Sequence, residues 1–328
     1  MKHILSSILT LLAFMLMVSC EGPAGIDGED GKDGVDGLAG ADGTAICVTC
    51  HNSTTMEIVT EEWEESVHGI GSVVARSTRN SCAKCHSHEG FVETLHTGMD
   101  TTAVGIAIPT AIQCATCHDF HESLDFENDG IDYALRTTSP VALMVDKDVV
   151  ADVGNSGNLC VNCHQPRRAA PEDDGTGNYA ITSSHWGPHH GPQGTFMIGY
   201  GAYEFGSAYS SSTDHTQIGC AGCHMHGDPT NHTFEPQLTA CQECHTDATD
   251  FNINNVQSDI ETLLTTLGDK LKAQGMLDAD GHLVTGTYAI GRAGALWNYI
   301  AVEEDRSMGV HNPKMIKEML QASIASLP

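Results

Sequence analysis

Apolar residues repeat at helical spacing over a sustained stretch only toward the C-terminus of this 328-residue chain. From Asn254 to Gln274, the residues Val256, Ile260, Leu263, Leu264, Leu267 and Leu271 fall on one face, which predicts a helix that Gly275 ends. A polar turn around Asp278 to Gly281 follows. Tyr288 to Asp305 then reads as a second helix carrying Ile290, Leu296, Trp297 and Ile300, and Gly309 breaks the pattern. Pro313 suits the first turn of a last helix running toward Leu327. Upstream, between residues 44 and 251, no such periodicity persists. Turn-rich stretches such as Asp152 to Asn158 and Pro171 to Asn178 read as loops. The expectation is a mainly α protein with much irregular loop and a helical C-terminal region.

Composition makes the middle of the chain harder to fold on its own. Only 40% of residues are hydrophobic and 5% aromatic, a thin supply for a core of this size. Something other than side chains must supply apolar interior. The formal charge of −28 excludes nucleic acid as a partner, since that binding requires Lys and Arg to displace counterions.

The cysteines supply the missing element. Twelve of the thirteen fall into six Cys-x-x-Cys-His units: Cys47/Cys50/His51, Cys82/Cys85/His86, Cys114/Cys117/His118, Cys160/Cys163/His164, Cys220/Cys223/His224 and Cys241/Cys244/His245. A disulfide framework does not require a histidine after every second cysteine. Structural zinc needs two half-sites per metal and no adjacent histidine. Covalent c-type haem requires this unit: two cysteines form thioethers with the vinyl groups, and the next residue reaches the iron. Six macrocycles are large apolar plates around which short peptides wrap, so the units are expected on single helical turns. The fold expected is thus a multihaem cytochrome c fold wrapped around a haem array. The motifs are unevenly spaced, so no simple tandem repeat is expected.

Each iron needs a sixth ligand. Besides the six proximal histidines and His3, twelve histidines remain: His68, His88, His96, His121, His185, His189, His190, His215, His226, His232, His282 and His311. Bis-histidine coordination throughout is the economical expectation, giving low-spin, low-potential haems. The chain resembles the multihaem cytochromes related to pentahaem cytochrome c nitrite reductase from about Glu61 onward. It does so in His215 ahead of Cys220, His232 in HTF ahead of Cys241, His311 in GVHNP and His68 in WEESVHG. The resemblance implies that these four are distal ligands. The block Ser184 to Glu204 also resembles a multihaem cytochrome segment. Of its crowded His185, His189 and His190, one or two more ligands are expected, with His185 and His190 put forward. His121 in CATCHDFH is the remaining choice, because His88 and His226 lie so near their own proximal ligands that they suit only a neighbouring haem. The reductases carry a Cys-x-x-Cys-Lys catalytic haem, and this chain has none; its histidine cluster stands where their catalytic residues lie.

The N-terminus adds export. Lys2 and His3, the apolar run Ile4 to Val18 and Ser19-Cys20 read as a lipoprotein signal peptide over 1–19. Met17-Val18-Ser19-Cys20 resembles a bacterial lipobox, which implies lipidation of Cys20. From Gly22 to Gly43 glycine recurs every third residue, a collagen-like period. As an extended spacer it would span about 70 Å. The expected organisation is a signal at 1–19, anchor and spacer at 20–43, a hexahaem-binding region at 44–251 and a helical region packing on the haems at 252–328.

The function expected is electron transfer by an outer membrane lipoprotein on the periplasmic or cell-surface face, without a substrate site of its own. Expected partners are other redox proteins, such as multihaem cytochromes and quinone-linked donors, and the membrane through the lipid anchor. Two alternatives stand beside it. One is an oxidoreductase acting on a small nitrogen or sulfur compound at one open haem. The other is a subunit of an extracellular cytochrome filament, a homo-oligomer.

Overall fold

The computed structural model describes residues 47–211 and 213–328. The signal, Cys20 and the collagen-like spacer lie outside them. Short helices dominate the first half: α1 (Cys47–Cys50), α2 (Ser53–Glu65), α3 (Asn80–His86), α4 (His88–Thr97) and α5 (Cys114–Cys117). Polar side chains cap the starts of α2 and α4. Asn52 Oδ1 accepts the Thr55 amide at 2.8 Å ahead of α2, and Ser87 Oγ accepts the Gly90 amide at 3.2 Å ahead of α4. Further on come α6 (Asn155–Val161), α7 (His215–His224) and α8 (Leu238–Gln242). The loop expected over 152–158 gives way at Asn155, where α6 begins.

Two small antiparallel ribbons pin the connections. β1 (Val141–Ala142) pairs with β2 (Val150–Ala151), and β3 (Asn178–Ile181) pairs with β4 (Gly286–Ala289). The second ribbon corrects one expected boundary. Tyr288 lies in β4 opposite Tyr179, and the helix starts two residues later as α10 (Ile290–Asp305).

The C-terminal helices otherwise follow the apolar pattern. α9 (Val256–Ala273) presents Ile260, Leu264, Leu267 and Leu271, all buried, to α11 (Pro313–Ser326), which returns Met315, Ile316, Met319 and Leu320. α10 adds Leu296, Trp297, Ala301 and Val302 to the same core. Ile181 at the end of β3, together with Trp186 and Phe196, completes it, so the 184–204 segment is packed onto these helices. A second, smaller cluster of Val141, Leu143, Ala151, Val153, Val161 and Met197 lies beneath the 160–164 motif. Among the described residues, both clusters lie beyond residue 140, and no helix is long and apolar enough to cross a membrane.

Asn312 ties α11 to the 184–204 segment. Its Oδ1 accepts the Met315 amide at 3.2 Å as the helix cap, and its Nδ2 donates to the Phe196 carbonyl at 3.1 Å. Both partners are buried. Asn312→Ala is expected to cost about 2 kcal/mol, the worth of a cap plus a stranded buried carbonyl. A urea denaturation midpoint unchanged from wild type would contradict this.

Candidate functional site

Each Cys-x-x-Cys-His unit closes one helical turn. The histidine amide donates to the carbonyl of the first cysteine at 2.9 Å in His51, His118 and His164 and at 2.8 Å in His245. His86 and His224 lie inside α3 and α7. Positions i, i+3 and i+4 share one helix face, so both sulfurs and the imidazole emerge on the same side. Among the described residues, the motif cysteines form no disulfide. The single group of three or more ligating side chains found among the described residues, Asp278, Asp280 and His282, is exposed and lies outside the motifs, so no Cys-His set converges as a zinc site does.

The twelve sulfurs expected to hold haem are not equally enclosed. Cys50, Cys114 and Cys244 are exposed, whereas Cys47, Cys82, Cys85, Cys117, Cys160, Cys163, Cys220, Cys223 and Cys241 are half-buried. Cys244 departs furthest from an enclosed attachment point. It follows α8, a short helix that buries none of its residues, and Gln242 and Glu243 beside it are exposed as well. The Cys244 amide donates to the Cys241 carbonyl at 3.2 Å, so the turn of the motif is formed there even though the protein does not cover it. The attachment expected at Cys241 and Cys244 therefore lies at the protein surface rather than inside it.

Each of the six proximal rings faces one other histidine. Ring centroids are 6.0 Å apart for His51 and His121, 6.4 Å for His86 and His189, and 6.3 Å for His118 and His232. They are 6.1 Å apart for His164 and His68, 6.3 Å for His224 and His311, and 6.5 Å for His245 and His215. An iron bound by two imidazoles, with a metal–nitrogen bond of ~2.0 Å and ~1.1 Å more to each ring centre, puts the centroids ~6.2 Å apart. The six gaps therefore fit one iron each. The pairs overlap along the sequence, each partner coming from a segment distant from its motif.

In five of the twelve rings the outward nitrogen is tied back, which leaves Nε2 free to face the gap. The Nδ1 atoms bond the carbonyls of Tyr133 from His118 at 2.8 Å, Phe234 from His224 at 2.8 Å, Thr230 from His232 at 2.7 Å and Val310 from His215 at 2.7 Å. His311 Nδ1 instead meets the Asp305 carboxylate at 2.6 Å.

Burial lowers the pKa of His68, His86, His224 and His232 and pushes His164 and His189 down to about 4, with the Arg167 guanidinium adding to the effect on His189. These imidazoles are thus held neutral, the form that ligates a metal. His164 is surrounded by protein groups and still keeps solvent-accessible surface. His311 differs. Burial lowers its pKa, but Asp305 outweighs burial and raises it.

Large apolar side chains are exposed among the motif-bearing segments. In the half of the chain without an apolar cluster, Val67 is 80% exposed, Ile108 86% and Phe120 74%. Exposed apolar side chains of this size suit an apolar partner such as a flat macrocycle.

Neighbouring motifs touch. The thiols of Cys85 and Cys163 lie close enough to shift each other's pKa, as do those of Cys160 and Cys220. Cys163 Sγ is 3.7 Å from the Lys84 carbonyl and Cys220 Sγ is 3.8 Å from that of Gly157. A Cβ on Gly157 would lie 3.1 Å from the Cys220 amide nitrogen, so glycine allows α6 and α7 to approach this closely. The 160–164 unit thus sits between the 82–86 and 220–224 units.

The histidines expected as distal ligands fall as follows. His68, His121, His215, His232 and His311 each face a proximal ring. His185 and His190 do not; both are exposed, and His189 takes the place facing His86. Glu304 on α10 captures His190, accepting its amide at 2.8 Å and standing 3.3 Å from its Nδ1. His88 turns to Thr116 Oγ1 at 3.0 Å, and His226 lies 3.8 Å from Glu243. Asp305 carried no motif by which the sequence could reveal it.

The fold is that of a multihaem cytochrome: mainly helical, with little strand and long irregular connections. The structure is similar to the crystal structure of the outer cell wall cytochrome OcwA, with a TM-score of 0.52 and 20% sequence identity. The likeness covers 82% of this chain and 50% of that one, so this chain spans about half the length of the cytochrome it matches. No family model matches the chain, and no curated protein does.

Proposed function

We propose that this protein is a hexahaem c-type cytochrome that relays electrons. The observation that carries the reading is the set of six histidine pairs, every proximal ring having a partner one iron's width away. Haem supplies the one-electron ferric–ferrous couple when bound. The chain does the rest. Six cysteine pairs attach the groups covalently, and His51, His86, His118, His164, His224 and His245 serve as proximal ligands. His121, His189, His232, His68, His311 and His215 serve, in that order, as their distal partners. Two protein ligands per site leave no position for substrate, which favours a relay over an oxidoreductase. Contact between the 82–86, 160–164 and 220–224 units sets neighbouring sites side by side, as a relay requires. The exposed Cys244 suits a site at the end of the relay, where electrons pass to or from a partner.

The lipobox-like Cys20 and the extended spacer support anchoring to the outer membrane, and the likeness to an outer cell wall cytochrome supports export. The acidic surface suits a redox partner with a basic docking face.

Low-temperature EPR on the haem-loaded full chain tests the reading. Six haems per chain, all ferric low-spin, are expected. A high-spin haem, or one that binds nitrite or hydroxylamine, would overturn the relay. His189→Ala is expected to create one high-spin haem, whereas His185→Ala and His190→Ala leave all six low-spin.

A further inference from the structure

Of the contacts made by the facing rings, one differs in kind from the others. Asp305 ends α10 with its side chain 0% exposed, and its Oδ1 lies 2.6 Å from His311 Nδ1. Its Oδ2 accepts from the Ser307 hydroxyl and, at 3.4 Å, from the Ser307 amide. Ser307 Oγ in turn accepts the His311 amide at 3.3 Å. The three residues close a short loop whose turn uses positive φ at Arg306, Met308 and Gly309. Every other outward Nδ1 bond among the facing rings described above ends on a neutral carbonyl. Asp132, the nearest comparable case, stands 3.8 Å from His121, beyond hydrogen-bond range, and is a quarter exposed.

The position of Asp305 is costly. A carboxylate at a helix C-terminus opposes the macrodipole, and a buried charge needs a partner. Among the described residues no Lys or Arg pairs with it; its ion-pair partner is His311. The carboxylate is therefore held in place by the histidine it faces.

We propose that Asp305 is a positioning and tuning residue that makes the haem held between His224 and His311 the lowest in potential of the array. The inference rests on the bis-histidine reading above. A carboxylate accepting Nδ1–H draws the proton from the ring and gives the imidazole anionic character. The Nε2 atom then donates more strongly to iron and favours ferric over ferrous. The buried negative charge acts in the same direction, because the ferric site carries one more positive charge and is little screened there. Among the described residues, no carboxylate lies within hydrogen-bond distance of a ring in the other five pairs.

Spectropotentiometric titration of the haem-loaded Asp305→Asn protein, with EPR, tests this. Asparagine keeps the shape and removes the charge. The most negative of the six components is expected to shift positive while the other five stay in place. One low-spin EPR signal is expected to change its g-values. Asp305→Glu, which keeps the carboxylate, should restore most of the negative potential. If Asp305→Asn does not load six haems, Ser307→Ala provides the second variant. It loosens the carboxylate and should move the same component in the same direction by less. A six-haem, all-low-spin variant with unchanged potentials and g-values would overturn the role of Asp305 and leave the relay standing. A wild-type protein with fewer than six haems or a high-spin signal would overturn the relay itself.

Discussion

Replacing Cys160 and Cys163 together with serine is expected to cost the protein far more than one haem. The 160–164 unit touches two others, through Cys163 at the Lys84 carbonyl and through the Cys160–Cys220 contact. Val161, between its cysteines, is fully buried in the smaller apolar cluster. Without attachment there, His68 and His164 would face each other across an unfilled gap inside the protein. Folded protein should drop several-fold in abundance, since even 1–2 kcal/mol has that effect. What survives should carry five haems by intact mass and show slowed electron exchange. The same change at Cys47 and Cys50 offers the contrast. Cys50 is exposed and His51 is exposed, so that unit lies at an edge. Its loss should remove one haem and leave abundance near wild type. Equal abundance of the two variants would contradict the central placement of the 160–164 unit.

Trp297→Ala is expected to cost about 3–5 kcal/mol, the usual range for emptying a large aromatic site. Trp297 is fully buried on α10, packs edge-on against Trp186 at 5.3 Å and donates Nε1–H to the Gly201 carbonyl at 2.9 Å. Trp186 and Gly201 flank His189 in the 184–204 segment. The cavity should therefore loosen that segment as well as destabilise the helices. Thermal unfolding by far-ultraviolet circular dichroism gives the stability loss, and Trp297→Phe should recover much of it. A melting temperature unchanged in the alanine variant would count against this core as the support for His189.

The sequence reveals local features and hides those made across space. Six Cys-x-x-Cys-His turns are readable because each is complete within five residues. How far each is covered is not readable: Cys163 and Cys244 occupy the same motif position, yet one packs against Lys84 and the other faces solvent. The three C-terminal helices are readable because each buries one continuous face. The His189 position is not readable by such means. His189 and His190 are adjacent, share left-handed backbone at φ 70° and 58°, and have the same chemistry. What separates them is Glu304, more than a hundred residues away, which takes His190 and turns its neighbour toward His86. Tyr288 gives the same lesson. Its apolar spacing suits a helix, but Tyr179 on the distant β3 draws it into a strand. The partner of His311 was equally hidden, since Asp305 looks like the acidic end of an ordinary surface helix until its burial is seen.

The overlap of the six pairs has a consequence for how such a chain can be divided. Laid along the sequence, the spans 51–121, 68–164, 86–189, 118–232, 215–245 and 224–311 form an unbroken weave. No peptide bond between His51 and His311 can be cut without parting at least one pair. A string of separate haem modules can gain or lose a bead by a simple gene fusion or deletion. This one cannot be split into two self-sufficient halves, so any inherited change in its length within that stretch must leave the weave intact.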